Sequence, residues 1–354
     1  MGHSIDFAAF HEQTFYEVFE PPSASEWILC GDCSFIAKSG KKTDGLGLFW
    51  NGCVGKQQKG LEISGFALVN TESKSAYMVD VLQTPGDLSD VEGDKDTYTR
   101  IDFYLEHLQR VYKRYPWIRY IALDGYYSKM KVFEYFDSQP KLNLIGKLRK
   151  DSNLNFILDR DKATNVHGNT KYDGKFDHKT PMSQKDKWTF KGRLEGEPDV
   201  ILYQALMYSP YYKKTFNIVL CWHEQLQKHI LLYSDDLELD ALLIVRYYKS
   251  RFQIEFLFRD AKQFCGLNHA QVRDEKKLDF HFNTSFAVVN LARVIHQQNK
   301  ETHNSQEFSF NNAKRLGYND LLLNEFIANL DIDPELPQIR QALQKTRTFG
   351  IMHT

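Results

Sequence analysis

The sequence has no long hydrophobic run and no leader-like N-terminus. The apolar stretch at 241–245 ends at Arg246, and no stretch approaches the roughly 20 apolar residues that a membrane helix needs. The first residues lack the basic segment followed by an apolar one that marks a secretory signal. We therefore expect a protein that does not enter a membrane and that works in the cytoplasm.

Cysteine is also scarce, with 5 in 354 residues. An odd, scattered set argues against a disulfide scaffold and favours a reducing compartment. Cys30 and Cys33 form a Cys-x2-Cys pair, which is a spacing found in zinc sites, but no second Cys or His pair follows at ligand spacing. In a strand these two side chains point to opposite faces. We interpret them as core thiols and keep zinc as the less favoured alternative.

An excess of charge of either sign is absent as well. The chain has 45 Lys+Arg and 46 Asp+Glu, for a formal net charge of −1. This balance excludes a polybasic protein that binds nucleic acid through bulk charge alone. Any nucleic-acid surface must therefore be local. Three segments carry more basic than acidic residues. Residues 36–60 contain five basic and one acidic, 125–150 six basic and two acidic, and 246–262 five basic and two acidic.

The sequence does contain enough apolar residues, 42%, to bury a large core. The first patterns along the chain predict strands at 27–36, 61–69 and 75–82, a helix at 97–114, a strand at 117–123, a helix at 126–139 and a strand at 142–148. β-Favouring runs recur within 151–236, and a helix at 240–264 follows with Asp240 as its N-cap. The order predicts an α/β fold with a mixed sheet, flanking helices and a β-rich insertion.

Acidic residues at two predicted strand ends suggest a site. Asp32 and Asp124 occupy those ends, where a sheet holds side chains rigidly. Four residues at spacings of 3, 4 and 7 share one face of the helix at 240–264: Tyr248, Arg251, Glu255 and Lys262. Two carboxylates from strands and one from a helix can hold paired Mg²⁺ ions through oxygen ligands. Such a two-metal site favours phosphoryl transfer.

These residues resemble the DDE transposases of bacterial cut-and-paste insertion sequences. The spacing Tyr248-x2-Arg251-x3-Glu255-x6-Lys262 matches the Tyr-Arg-Glu-Lys signature of that family at all four positions. The residues around the two aspartates, 31–34 and 123–127, also look like the family. The resemblance spans roughly residues 27–300.

The resemblance implies an RNase H-like catalytic domain that cuts and joins DNA. Asp32, Asp124 and Glu255 would be the catalytic, metal-binding triad, with two Mg²⁺ ions or Mn²⁺ as a substitute. The residues that would face DNA are Tyr248, Arg251, Lys262, Arg259 and Trp188. Trp188 is one of two candidates, with Trp222, for stacking on a flipped base, because related members with a β-strand insertion excise their element through a DNA hairpin. The three base-rich segments flank the three acids and predict a basic groove on an acidic body.

The resemblance also divides the chain and suggests its partners. The expected segments are an N-terminal remnant at 1–26, the first part of the catalytic core at 27–150, the β-rich insertion at 151–236, the second part of the core at 237–300 and a helical tail at 301–354. The partners would be the terminal inverted repeats of its own element, target DNA and a second copy in a synaptic homodimer, within the prokaryotic nucleoid.

Alternatives remain open at this stage. Only about 30 residues precede Asp32, whereas similar members carry a helical N-terminal domain that recognises the repeats. A truncated DNA-binding remnant without catalysis, or a nuclease of the same fold, is therefore an alternative function. Asp44 and Asp80 compete for the role of the first acid, and we interpret both as structural. His281 also favours a structural role.

Overall fold

The computed structural model describes residues 5–19, 26–90, 97–158, 171–298, 308–330 and 332–352. Within these ranges, twelve strands form one mixed sheet and eight helices pack against it. The α/β class expected from the sequence is therefore confirmed. No helix among the described residues is long and apolar enough to span a membrane.

The first part of the chain forms a helix and an antiparallel group of strands. These elements are α1 (Phe7–Val18), β1 (Trp27–Ala37), β2 (Gly47–Asn51), β3 (Lys56–Asn70) and β4 (Ala76–Gln83). The long strand β3 pairs antiparallel with β1, β2 and β4. The sequence analysis predicted β1, β3 and β4 but not β2. It also gave no structure to residues 1–26, yet α1 packs on the sheet with Phe15 fully buried.

The next elements add the parallel part of the sheet. They are α2 (Arg100–Arg114), β5 (Tyr120–Ala122), α3 (Met130–Asp137) and β6 (Asn143–Lys147). Helix α2 begins at a capping box, in which the Thr99 backbone N–H donates to Asp102 Oδ2 at 2.7 Å. Strand β5 runs parallel to β1, and β6 runs parallel to β5. The carboxyl ends of β1 and β5 therefore lie at the same edge of the sheet.

The predicted insertion is β-rich, and its strands continue the same sheet. These strands are β7 (Asn155–Ile157), β8 (Tyr172–Lys175), β9 (Thr189–Leu194), β10 (Glu197–Ser209), β11 (Lys214–His223) and β12 (Lys228–Ser234). Strand β12 pairs antiparallel with β6, where Tyr233 lies opposite Gly146. A Cβ atom at Gly146 would lie 2.6 Å from the Tyr233 hydroxyl, so this pairing needs glycine. The domain boundaries at 150 and 236 stay predictions.

The remaining helices are α4 (Ala241–Ser250), α5 (Phe252–Phe264), α6 (Glu275–Gln298), α7 (Phe310–Leu330) and α8 (Pro337–Arg347). Asp240 caps α4 as predicted, accepting from the Leu242 N–H at 2.8 Å. The prediction of a single helix over 240–264 is wrong, because the helix breaks at Arg251. The Ser250 hydroxyl donates back to the Arg246 carbonyl, and Arg251 N–H donates to the Tyr248 carbonyl three residues earlier. This back-bonding and tightening separate α4 from α5.

Helices cover both faces of the sheet. The side chains of α2 and α3 pack into one core, and those of α4, α5 and α6 pack into the other. Successive residues of β1 alternate between the two: Leu29 faces α2, whereas Cys30 faces α4 and α5. The face that a strand residue points to therefore decides which helices it meets.

Candidate active site

Asp32 and Asp124 lie side by side where β5 ends. The prediction that Asp32 occupies a strand end is wrong, because β1 continues beyond it to Ala37 through pairing with β3. In the parallel pairing of β1 and β5, Cys30 lies opposite Ala122. Asp32 and Asp124 each follow two residues later, so they are level with each other and on the same face as that pair. This is the face of α4 and α5. The short distance between the strands brings the two carboxylates within electrostatic reach of each other.

Two glycines allow close packing around Asp32, Gly31 on the α2 face of the sheet and Gly65 on the α5 face. A Cβ atom on Gly31 would lie 2.5 Å from the Phe66 ring and 2.9 Å from Leu123, so only glycine fits before Asp32. Gly65 lies opposite Asp32 on β3, and its Cβ would lie 3.0 Å from the ring of Phe258 on α5. The absence of a side chain at Gly65 lets α5 pack onto the sheet directly beneath Asp32.

Arg251 lies between the carboxylates. Its Nη1 donates to Asp32 Oδ2 at 2.9 Å, and its Nη2 donates to Glu255 Oε1 at 3.0 Å. Its charge also reaches Asp124. The arginine side chain is buried, whereas those of Asp32 and Glu255 are 20% and 43% exposed. The helix break at Arg251 thus places one guanidinium at the centre of three acids that open towards solvent.

Burial and mutual repulsion make this site hard to ionise fully. Burial raises the pKa of Asp32 to about 7, and Arg251 opposes this rise while the charges of Asp124 and Glu255 add to it. Burial likewise raises the pKa of Asp124, against the charge of Arg251 and hydrogen bonds from the Tyr126 and Tyr127 backbone. The acids therefore need a cation close by, and in this structure Arg251 is that cation.

The donor atoms at the site suit a hard divalent cation. The acids offer only carboxylate oxygens, which are the ligands that Mg²⁺ prefers. Among the described residues, however, no three His, Cys, Asp or Glu side chains are grouped as a formed metal site. The reason is geometric, since Arg251 engages Asp32 and Glu255. The ligand chemistry fits, and a metal would have to take the place that the guanidinium holds.

The other signature residues surround this centre. Tyr248 is buried, with its ring centroid 5.9 Å from the Arg251 guanidinium carbon. Lys262 Nζ donates to the Phe35 carbonyl at 2.8 Å, three residues after Asp32 on β1. Arg259 lies further from the acids, pairing with Asp260 at 3.1 Å and covering the Phe256 ring. The four signature residues thus stay together, and their roles and that of Arg259 stay predictions.

The two tryptophans considered for base stacking are both buried. Trp188 is 7% exposed and packs edge-on against Phe156 and Phe176. Trp222 is equally enclosed. Their burial gives the stacking prediction no support. The sequence analysis missed Trp50, which is 59% exposed on β2. Its position directly after Phe49 gave no sign of this exposure, because β2 itself was not recognised.

Asp80, a competitor for the first acid, belongs to a separate buried cluster. Its Oδ2 lies 2.8 Å from Arg110 Nε and 3.5 Å from His107 Nε2, beneath α2. Ser64 Oγ lies 3.0 Å from His107 Nδ1. All of these atoms except the Arg110 side chain are shielded from solvent, so the set cannot meet a substrate. His281 likewise bonds the Gly266 carbonyl at 3.0 Å, which fits a structural histidine.

Comparison with known families now adds to this geometry. A family model described as "Transposase DDE domain" matches residues 28–291, which cover most of the chain and include all three acids. The comparison with curated proteins returned no significant match. The mixed sheet with flanking helices is the RNase H-like transposase fold that the resemblance implied. That family acts on DNA in transposition and uses divalent metal ions. The chain therefore belongs to the transposases with a DDE domain.

Proposed function

We propose that this protein cleaves the ends of an insertion sequence and joins them to target DNA, with Asp32, Asp124 and Glu255 as the catalytic acids. The observation that carries the proposal is the pairing of Arg251 with Asp32 and Glu255, within electrostatic reach of Asp124, where β5 ends beside the parallel strand β1. The same centre lies within the matched family region. A dimer on paired ends, with inverted repeats and target DNA as partners, belongs to this proposal.

Two Mg²⁺ ions, or Mn²⁺ in their place, would supply Lewis-acid stabilisation of the charge that develops in phosphoryl transfer. The residues of the chain that would hold them are Asp32, Asp124 and Glu255. Arg251 neutralises Asp32 and Glu255. If divalent cations neutralised these acids instead, Arg251 would be free for a DNA phosphate, which a guanidinium can bind bidentately. Lys262 would contribute a second positive charge on the same side.

Tyr248 holds Arg251 in place on the inner side. Its ring packs against the guanidinium and is itself buried, and burial raises the pKa of its hydroxyl, so that it stays neutral. A neutral phenol can hydrogen-bond a sugar or phosphate oxygen at the cleaved end without adding to the negative charge of the acids. The chain's own contribution is therefore to align the DNA end and to balance charge around it.

The test is a cleavage assay on a supercoiled plasmid that carries the inverted repeats flanking the gene. With Mg²⁺ or Mn²⁺, the intact chain should release the element and yield joined products. Nicking without joining would assign the chain to the nucleases instead. A gel shift without either product would assign it to non-catalytic DNA binders. Glu238→Gln, a change at an exposed glutamate outside the site, should behave as the intact chain does.

A further inference from the structure

The hairpin of β2 and the first part of β3, residues 47–59, projects beyond the active-site edge of the sheet. Strand β1 ends at Ala37, opposite Gly60 of β3. Beyond this point β2 and β3 form a two-stranded hairpin. Its pairing runs from Gly47 opposite Gly60 to Asn51 opposite Lys56, next to the turn. We refer to residues 47–59 as the arm. None of its side chains is acidic.

The base of the arm is fixed to the body of the protein. Phe49 is fully buried, and the Arg100 guanidinium carbon lies 4.5 Å from the centroid of its ring. Arg100 Nη2 also donates to the Leu48 carbonyl at 2.9 Å, and Arg100 pairs with Asp90. The arm is therefore a positioned element with one face packed and the other free.

The outer face of the arm combines an aromatic side chain with positive charge. Trp50 lies opposite Gln57, and Lys59 is its diagonal neighbour on the same face. Trp50 is 59% exposed, and Lys59 is exposed too. Lys56, opposite Asn51 at the tip of the arm, is exposed on the other face. Neither lysine forms an ion pair with any carboxylate of the described residues. A groove between the arm and the end of β1 is lined by Phe35, Lys38, Ser39, Lys56, Gln58 and Lys59.

The arm also lies near the catalytic centre. Lys262 bonds the Phe35 carbonyl at the end of β1, and Cys53 at the turn of the arm is within electrostatic reach of Lys262. Along β3, Lys59 is six residues beyond the partner of Asp32, Gly65, which is about 20 Å at the rise of a strand. That length corresponds to about six base pairs of duplex DNA.

We propose that the arm binds the phosphate backbone of duplex DNA about six base pairs from the cleaved phosphate, through Lys56 and Lys59, with Trp50 packed on the sugar or an exposed base. The location relative to the cleaved phosphate rests on the proposed function, whereas the affinity of the arm for duplex DNA does not. Exposed lysines along an arm without acids, one of them beside an exposed aromatic ring, are the side chains that bind nucleic acid without reading its sequence.

The test measures binding of the full chain to a fluorescein-labelled, mixed-sequence 40-base-pair duplex across a range of salt concentrations. Each lost phosphate contact should lower the slope of log K against log[salt] by about 0.9. Lys56→Glu/Lys59→Glu should therefore lower the slope by about 2 and weaken binding at 0.15 M salt on the order of 30-fold. Lys74→Glu is the matched control, because Lys74 is an exposed lysine in the turn at the other end of β3.

An unchanged slope and affinity in the double variant would overturn the proposal, as would an equal loss in Lys74→Glu. For the aromatic contact, Trp50→Ala should weaken binding about tenfold, and Trp50→Phe should restore most of it. Equal affinity of the intact chain, Trp50→Ala and Trp50→Phe would show that Trp50 does not contact the DNA. Hydroxyl-radical footprinting on an element end should show protection of the DNA about six base pairs from the cleaved phosphate. The double variant should lose this protection. Loss of protection at another position would refute the placement.

The two proposals fail in different ways. If the chain does not cleave DNA but the double variant still lowers the salt slope, the arm is a DNA-binding element of a protein that lacks the proposed activity. If the chain cleaves and joins DNA with an unchanged slope in the double variant, the proposed function stands and the arm proposal is wrong.

Discussion

Asp32 and Asp80 lie on the two strands that flank β3, and each is paired with an arginine from a helix. They point to opposite faces of the sheet, Asp32 towards α5 and Asp80 towards α2. The Asp80 side chain is only 4% exposed and meets His107 and Arg110, with no further acid in that ion-pair set. Asp32 is 20% exposed and shares Arg251 with Glu255.

The difference lies in the balance of charge. Burial opposes the charge of Asp80, yet His107 and Arg110 hold the pKa of its carboxyl below its usual value. Burial raises the pKa of Asp32, Arg251 opposes the rise, and the charges of Asp124 and Glu255 add to it. A cluster that satisfies its own charges contributes to the fold, whereas one that has too few cations and opens to solvent can bind a further cation. The two aspartates should accordingly respond differently to substitution.

The largest expected effect on stability is at the buried cluster. Asp80→Ala leaves His107 and Arg110 without their acid and removes a hydrogen bond from the Val81 N–H. Because Asp80 and His107 are buried while the Arg110 side chain is half exposed, this change should lower the free energy of unfolding by about 3 kcal/mol, measured by urea denaturation. Asp44→Ala, at an exposed turn, should change it by less than about 0.5 kcal/mol. A loss at Asp80 below about 1 kcal/mol would contradict the structural role.

A pH-dependent loss of stability should come from His11, which is near the same buried cluster. Burial lowers the pKa of His11 to about 4, against the charge of Asp80, and its ring nitrogen accepts from Asn290 Nδ2. The unfolded chain, with a pKa near 6.5, binds the proton more readily. Stability is therefore lost as the pH falls from 6.5 to 4, by up to about 3 kcal/mol.

The His11→Gln variant isolates this contribution. The raised pKa values of Asp32 and Asp124 act in the opposite direction over part of the same range, so the curve of one protein alone is not diagnostic. The difference between the unfolding free energies of the intact chain and His11→Gln should change by about 3 kcal/mol between pH 6.5 and pH 4. A difference that is constant across this range would show that His11 does not stay neutral in the fold.

Arg251→Gln should have a smaller effect on the fold, although the Arg251 side chain is buried, as those of Asp80 and His107 are. The acids that it leaves behind reach water, so the expected loss in the free energy of unfolding is about 1 to 2 kcal/mol. The matched control is Arg149→Gln, since Arg149 and its partner Asp151 are both exposed and the pair should be worth under about 1 kcal/mol. If Arg251→Gln lowered the free energy of unfolding as much as Asp80→Ala does, the proposed difference in structural role between the two clusters would be wrong.

Much of this organisation could be predicted from local patterns. The position of Asp124 followed from an apolar run that ends in an acid, and Asp240 was recognisable as a cap. Asp32 was expected at a strand end but lies within β1. The break at Arg251 could not be predicted, because it depends on a hydrogen bond of Ser250 within an otherwise helical pattern. Nor could β2, which has only five residues and is defined by its pairing with β3. The arrangement of Arg251 between acids from distant strands depends on packing that only the fold supplies.

The central claim is that the open cluster, and not the buried one, carries the chemistry. The most direct measurement compares the intact chain with Glu255→Gln in metal-dependent cleavage of the plasmid with inverted repeats, together with the unfolding free energy of each. The account predicts that Glu255→Gln cleaves at least about 10³-fold more slowly while its stability stays within about 1 kcal/mol of the intact chain. Cleavage at an undiminished rate by a folded Glu255→Gln variant would contradict it.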